Sequence, residues 1–447
     1  MRRQTCSFVL AAVVMLGFTG MNKAVSQGIF PYKYSVVTLE NGLRAYLIPT
    51  QNPGLVAYYS IVRTGSRDEW EPGHSGFAHF FEHMMFRGTK TYPGPVYDRL
   101  VTEMGADANA YTTDDYTAYH LKFAREDLER VMELESDRFQ NLFYDEPEFI
   151  TEAGAVYGEF RKGRTNPWWV LFESIQNTAF DVHTYKHTTI GFEADIKAMP
   201  TMYDYSKSFF KRYYRPENVV LLIVGDIDVA ATGSLIEKYY AGWKPGYVAP
   251  EIPREPEQKG ERKVEVKYDG KTLPILAVSY KSPKFDPDDK LAVAGYLIEN
   301  LAFGETSDIY KKLVLQEQKV QVLGASFDKN RDPGLWSIYA MVKDEADIPY
   351  VLAKIDKAVE EMQNAPVDAK RLNDLKSRLK YGFLMNLDTP GKVAGNLARY
   401  VALTGGIEAV DRLFATYEKV TPEDVQNAAR TYLVKEHRTV ATLKGRD

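Results

Sequence analysis

The chain has 447 residues, 45% apolar and 26% charged, with a formal net charge of −5. That length suffices for at least two hydrophobic cores, and the acidic balance gives no electrostatic basis for binding nucleic acid. The one cysteine, Cys6, falls in an N-terminal leader, so the mature chain has no disulfide or thiol chemistry, and any metal site must use His, Asp or Glu.

Residues 1–26 read as a secretory signal peptide. Arg2 and Arg3 open it, residues 8–18 are almost wholly apolar, and Ala24-Val25-Ser26 supplies small residues before a cut at Gln27. The apolar stretch is shorter than the roughly 20 residues that span a bilayer, and no later stretch is long enough, so no stable membrane anchor is expected. Loss of Arg2, Arg3 and Lys23 takes the balance from 56 cations against 61 acids to 53 against 61, a charge of −8. Secretion across the inner membrane, into the periplasm of a bacterium, is the expected destination.

Taken in order, residues 36–39 and 43–48 flank an Asn41-Gly42 turn and read as a hairpin, and 55–62 as a further strand. The stretch 76–86 suits a helix. Longer helical patterns follow at 125–142, 148–162 and 202–214, and 219–224 is a buried strand. Residues 242–262 carry four prolines and three glycines without a helical or strand period, and read as a linker. The same order then recurs: strands at 263–268 and 273–280, helices at 290–303, 351–363 and 369–386, and a last strand at 438–443. Two diverged copies of one domain are expected. The N-terminal domain would be 27–241 and the C-terminal one 263–447, each an α/β sandwich with helices packed on an antiparallel-rich sheet, α+β in class.

Of the seven histidines, His79 and His83 lie four apart in the stretch read as a helix, on one face and one turn from each other. Two imidazoles so placed can share a metal ion. Glu82, between them and beside the second, sits where a general base toward water at the metal belongs. Ionisable groups among Phe77, Phe80, Phe81, Met84, Met85 and Phe86 are costly to bury unless paired or metal-bound. A bare pair of histidines at this spacing is weaker: His183 and His187 have no acid between them, and their threonines do not favour a helix. A third ligand must come from elsewhere. Helix 148–162 offers Glu148, Glu152 and Glu159; Glu152 and Glu159 are seven apart on one face, one to reach the metal and one to orient a histidine, and spacing does not say which does which.

The run HFFEHMMFRGT at 79–89 resembles the pitrilysin/insulinase-type inverzincin zinc metallopeptidases, whose signature is HxxEH. The resemblance is to the two-domain bacterial type, similar to mitochondrial processing peptidase subunits. Seventy-five residues separate His83 from Glu159, as in the family, and Glu152 sits at its supporting glutamate. Segments 105–119, 181–191 and 214–228 are also similar. The resemblance implies His79, His83 and Glu159 as ligands of one Zn2+, Glu82 as the base for a zinc-activated water, Glu152 as the acid supporting a ligand, and Asn109, Ala110 and Tyr111 as contacts to the substrate backbone. It implies an endopeptidase acting on peptides or unfolded segments, and a chain forming half of a clamshell.

The second half departs from the family. It holds no HxxEH, and the Arg and Tyr that commonly follow a segment like 303–313 are missing from 314–324; Arg331 and Tyr339 lie farther on. A dimer is expected, with a non-identical partner supplying Arg and Tyr as one form of it. The alternative to an enzyme is a non-catalytic peptide-binding or scaffold subunit.

Overall fold

The computed structural model describes residues 22–24 and 28–446, so the signal peptide, apart from Asn22–Ala24, and its cleavage point lie outside the described residues. The strands are β1 (Asn22–Ala24), β2 (Tyr34–Thr38), β3 (Arg44–Pro49), β4 (Leu55–Val62), β5 (Asp107–Thr112), β6 (Thr117–Ala124), β7 (Val219–Gly225), β8 (Arg262–Lys267), β9 (Ile275–Lys281), β10 (Val320–Phe327), β11 (Leu335–Val342) and β12 (Arg438–Lys444). They form two sheets, ordered β1-β2-β3-β7-β4-β6-β5 and β10-β11-β9-β12-β8.

The repeat is visible in the pairing. In the first sheet β7 lies parallel to β3 and antiparallel to β4, and β6 and β5 continue antiparallel. In the second, β12 lies parallel to β8 and antiparallel to β9, and β11 and β10 continue antiparallel. Strand for strand, β8, β12, β9, β11 and β10 therefore occupy the places of β3, β7, β4, β6 and β5. The central strands are buried on both faces, as their near-continuous apolar sequences require: Val219–Gly225 is buried at every residue. The α+β class and the two helix-covered sheets match the sequence reading.

The helices that matter for the site are α1 (Phe77–Met84), α2 (Gly94–Glu103), α3 (Leu128–Asn141), α4 (Glu146–Gly163) and α5 (Pro167–Ala179). Helices α1, α3 and α4 pack their apolar residues into the core on one face of the first sheet. The other face is covered by helix Pro390–Thr404 from the second half, which lies on β4 and β7 and whose Val393, Leu397 and Val401 join Tyr46, Ile48 and Leu222 in one apolar cluster. In return α5, from the first half, lays Val170, Leu171 and Ile175 on β9 and β12 of the second sheet. Each half thus lends its third post-hairpin helix to the other.

The segment between the sheets has no regular structure from Gly242 until β8. Its start belongs to the first core, where Trp243 is buried. Farther on, Glu255 accepts the backbone N–H groups of Asp181, Val182 and His183. A strap fastened through the Glu255 carboxylate, rather than a free tether, joins the halves.

Candidate active site

Helix α1 is two-faced because its residues alternate with helical period. Phe77, Phe80, Phe81 and Met84, spaced i, i+3, i+4 and i+7, are fully buried. Phe81 stacks on Phe209 at 5.3 Å, and Phe80 meets Phe149 of α4 edge-on at 5.1 Å. His79, Glu82 and His83 take the opposite face. The helix is shorter than the stretch read from sequence: it ends at Met84 and tightens into a 3-10 turn, Met85–Arg87, before Gly88 at φ +80°.

Its start is also fixed. Gly76 caps it at φ +95°, with an ideal Cβ position 2.5 Å from the Ile190 carbonyl, so only glycine fits. The buried Glu69 carboxylate accepts Gly76 N–H at 2.7 Å and Ala78 N–H at 2.6 Å, satisfying free donors of the first turn.

Helix α4 crosses α1 and is fixed at its start by Asp145, which accepts Glu148 N–H in a reciprocal cap. It places Glu159 Oε2 3.7 Å from His79 Nε2 and 3.4 Å from His83 Nε2. One ligand atom from each residue lies within 4.8 Å of the other two. Two ligands about 2.1 Å from one ion in tetrahedral array are about 3.4 Å apart, so this donor set of two imidazoles and a carboxylate fits a single divalent ion. Burial, with the neighbouring His83, pushes His79 down to about 3, leaving it neutral as a ligand must be.

The two glutamates left open by spacing are distinguished here. Glu152 lies behind His83, with Oε1 3.1 Å from His83 Nδ1, and its other oxygen accepts from Arg87. Its hydrogen bond to His83 raises that imidazole and holds the Glu152 carboxyl below the usual range, against the effect of burial. Glu82 lies beside the histidines, where Thr112 Oγ1 donates to its Oε2 at 2.7 Å. Burial pushes the Glu82 carboxyl up, and the Thr112 bond partly opposes this.

Thr112 ends β5, which among the described residues pairs only with β6 and is the edge of the sheet. Asn109 is exposed on it, Ala110 is buried and Tyr111 half-buried, and Asn109 accepts the Ala110 N–H with its own Oδ1. His183 and His187 are not part of the group. His183 faces Asp332 at 3.1 Å, and His187 faces the Thr188 carbonyl. Arg331 is spent on backbone carbonyls of Arg63, Asp115 and Ala402, and Tyr339 packs on Trp168. Sequence reasoning missed Arg87, Thr112 and Glu69. Arg87 alone had a local signal, one turn beyond His83; the other two are brought in by the fold.

The family model Insulinase (Peptidase family M16) matches residues 55–192, and Peptidase M16 inactive domain matches 202–379. Zinc protease PqqE of Helicobacter pylori is 30% identical over 92% of this chain and 93% of its own length. The chain belongs to the M16 peptidase family. Mitochondrial-processing peptidase subunit beta of Rattus norvegicus is 27% identical over 91% of this chain and 84% of its own. The crystal structure of a protease from Helicobacter pylori superposes with a TM-score of 0.87 at 27% identity, covering 92% of this chain and 99% of that one. Membership supports a peptidase-type function and implies a metal cofactor, generally zinc. The inactive-domain model falls mostly on the half without HxxEH. No helix of the described residues is long and apolar enough to cross a membrane.

Proposed function

We propose that this M16 protein is a zinc-dependent endopeptidase: His79, His83 and Glu159 hold one Zn2+, Glu82 is the general base, and Glu152 orients His83. The observation that carries the reading is the convergence of two imidazole nitrogens and one carboxylate within 4.8 Å, with Glu82 alongside. A structural zinc site is closed by four protein ligands; the group among the described residues has three.

When bound, zinc supplies Lewis-acid polarisation of a carbonyl and lowers the pKa of water toward about 7. The chain's own residues do the rest. Glu82 takes a proton from the attacking water and returns it to the leaving amine, its burial keeping it basic enough to do so. Thr112 holds that carboxylate toward the site. The β5 edge at Asn109, Ala110 and Tyr111 takes an extended substrate by strand addition, which recognises backbone with little regard to sequence. The substrates are peptides or unfolded segments.

The same reading makes 27–241 the catalytic domain and 263–447 a supporting one, and places the protein in the periplasm after removal of residues 1–26. With Arg331 engaged by backbone carbonyls and Tyr339 in packing, an Arg/Tyr pair for the substrate comes from a second subunit in a dimer, a non-identical one in the heteromeric form. A non-catalytic peptide-binding subunit is the competing reading. The inactive-domain match, over 202–379, favours it mainly for the second half, since HxxEH in the first half is complete.

The test is cleavage of a quenched unstructured peptide by the zinc-loaded protein, with and without its co-purifying partner. Cleavage abolished by a chelator and by Glu82→Gln, with one zinc retained in the variant, is the expected result. Cleavage untouched by both would overturn the reading.

A further inference from the structure

Arg87 stands four residues past His83, in the 3-10 turn that ends α1. Its Nε donates to Glu152 Oε2 at 2.8 Å, and its Nη2 donates to the same oxygen. The other oxygen, Oε1, is 3.1 Å from His83 Nδ1. Glu152 is therefore divided between a cation and an imidazole, and its side chain is only 8% exposed. A charge so buried requires partners. The turn carrying Arg87 is itself fixed: Gly88 follows at φ +80° and bridges to Pro93, and a Cβ at Gly88 would meet the Tyr92 carbonyl at 2.1 Å.

A carboxylate only accepts hydrogen bonds. His83 Nδ1 must carry the proton in the contact with Glu152, which leaves the Nε2 lone pair directed to Glu159, 3.4 Å away. The two histidines are held differently. His79 is packed in place, with its Nδ1 lacking a partner among the described residues, whereas the His83 side chain is 26% exposed and depends on Glu152 for its orientation. Removing Arg87 would free the Glu152 carboxylate to turn toward the cleft it lines with Pro95 and Asp98.

We propose that Arg87 is a positioning residue: through Glu152 it fixes the ring and tautomer of His83, and so sets how tightly the site holds its metal. This rests on the ligand set proposed above and adds a residue to it.

The test uses the full chain with Arg87→Met, Arg87→Lys and Glu152→Gln. Zinc dissociation constants come from competition with a chromophoric chelator, and the His83 tautomer from nitrogen-15 NMR of the metal-free protein. Arg87→Met should weaken zinc by about 10- to 100-fold, mix the His83 tautomers and leave His79 unchanged, with thermal stability of the metal-free protein preserved. Arg87→Lys should restore a good part of the affinity, since one donor and the charge return. In a Glu152→Gln background, Arg87→Met should add little. Should the Met variant fold poorly, Arg87→Gln carries the same comparison.

Wild-type affinity and tautomer in Arg87→Met, or a full additional loss in the Glu152→Gln background, would overturn the proposal. Failure of the parent protein to bind zinc would instead refute the ligand set, which separates the two claims.

Discussion

His79, Glu82 and His83 share one helix face, yet their surroundings tune them in different directions. Burial keeps His79 neutral, Glu152 raises His83, and burial raises Glu82. The Thr112 hydroxyl is the one side-chain hydrogen bond drawn to Glu82 among the described residues. Thr112→Val keeps the volume and removes that donor. It should lower kcat by about tenfold, a fraction of the roughly 100- to 10,000-fold that general acid–base catalysis contributes as a whole, with zinc content unchanged; steady-state kinetics beside metal analysis checks this. His79→Ala should lose the metal outright, measured as zinc per chain after dialysis. At this scale HxxEH was legible because its spacing carries chemistry. Thr112 was not, because 30 residues and a sheet edge separate it from Glu82.

The reading of elements rests on period. The apolar runs at β4 and β7 and the stripe of α1 declare their buried faces, and the Asn41-Gly42 turn declares a hairpin, with Gly42 at φ +92°. Less was visible where tertiary contacts set the boundary. Strand β10 is not legible, since VQVLGASF mixes polar and small residues at the edge of its sheet, where the strand is partly open. The end of α1 came early because the turn at Gly88 competes with the helix. The start of α1 gives the sharpest prediction for an element. Gly76→Ala forces a left-handed conformation on an L-residue, about 1–2 kcal/mol, and drives its Cβ against the Ile190 carbonyl. The variant should melt several degrees lower and bind zinc more weakly, because the helix carrying both imidazoles must shift. Calorimetry of the metal-free and zinc-loaded forms reads both effects.

Across the whole molecule, the halves are interlocked rather than joined end to end. Helix Pro390–Thr404 covers the first sheet and α5 covers the second, so each half alone would bare an apolar sheet face. Arg331 adds bonds to Arg63 and Asp115, and Asp332 joins Arg67 and His183 across the same seam. Residues 27–241 expressed alone should aggregate, and co-expression with 242–447 should recover a soluble complex, read by size-exclusion chromatography. A soluble, natively folded 27–241 fragment would contradict the interlock. Two repeated units were legible in the order of elements. The exchange of helices was not, because an amphipathic pattern announces that a face is buried without naming the sheet that buries it.

The claim beneath all of this is that His79, His83 and Glu159 act together on one ion. Anomalous diffraction above and below the zinc edge, from crystals of the zinc-loaded protein, tests it most directly. The account predicts one strong peak per chain, bonded to His79 Nε2, His83 Nε2 and a Glu159 carboxylate oxygen. A peak elsewhere, or one at the histidines with Glu159 turned away, would contradict it.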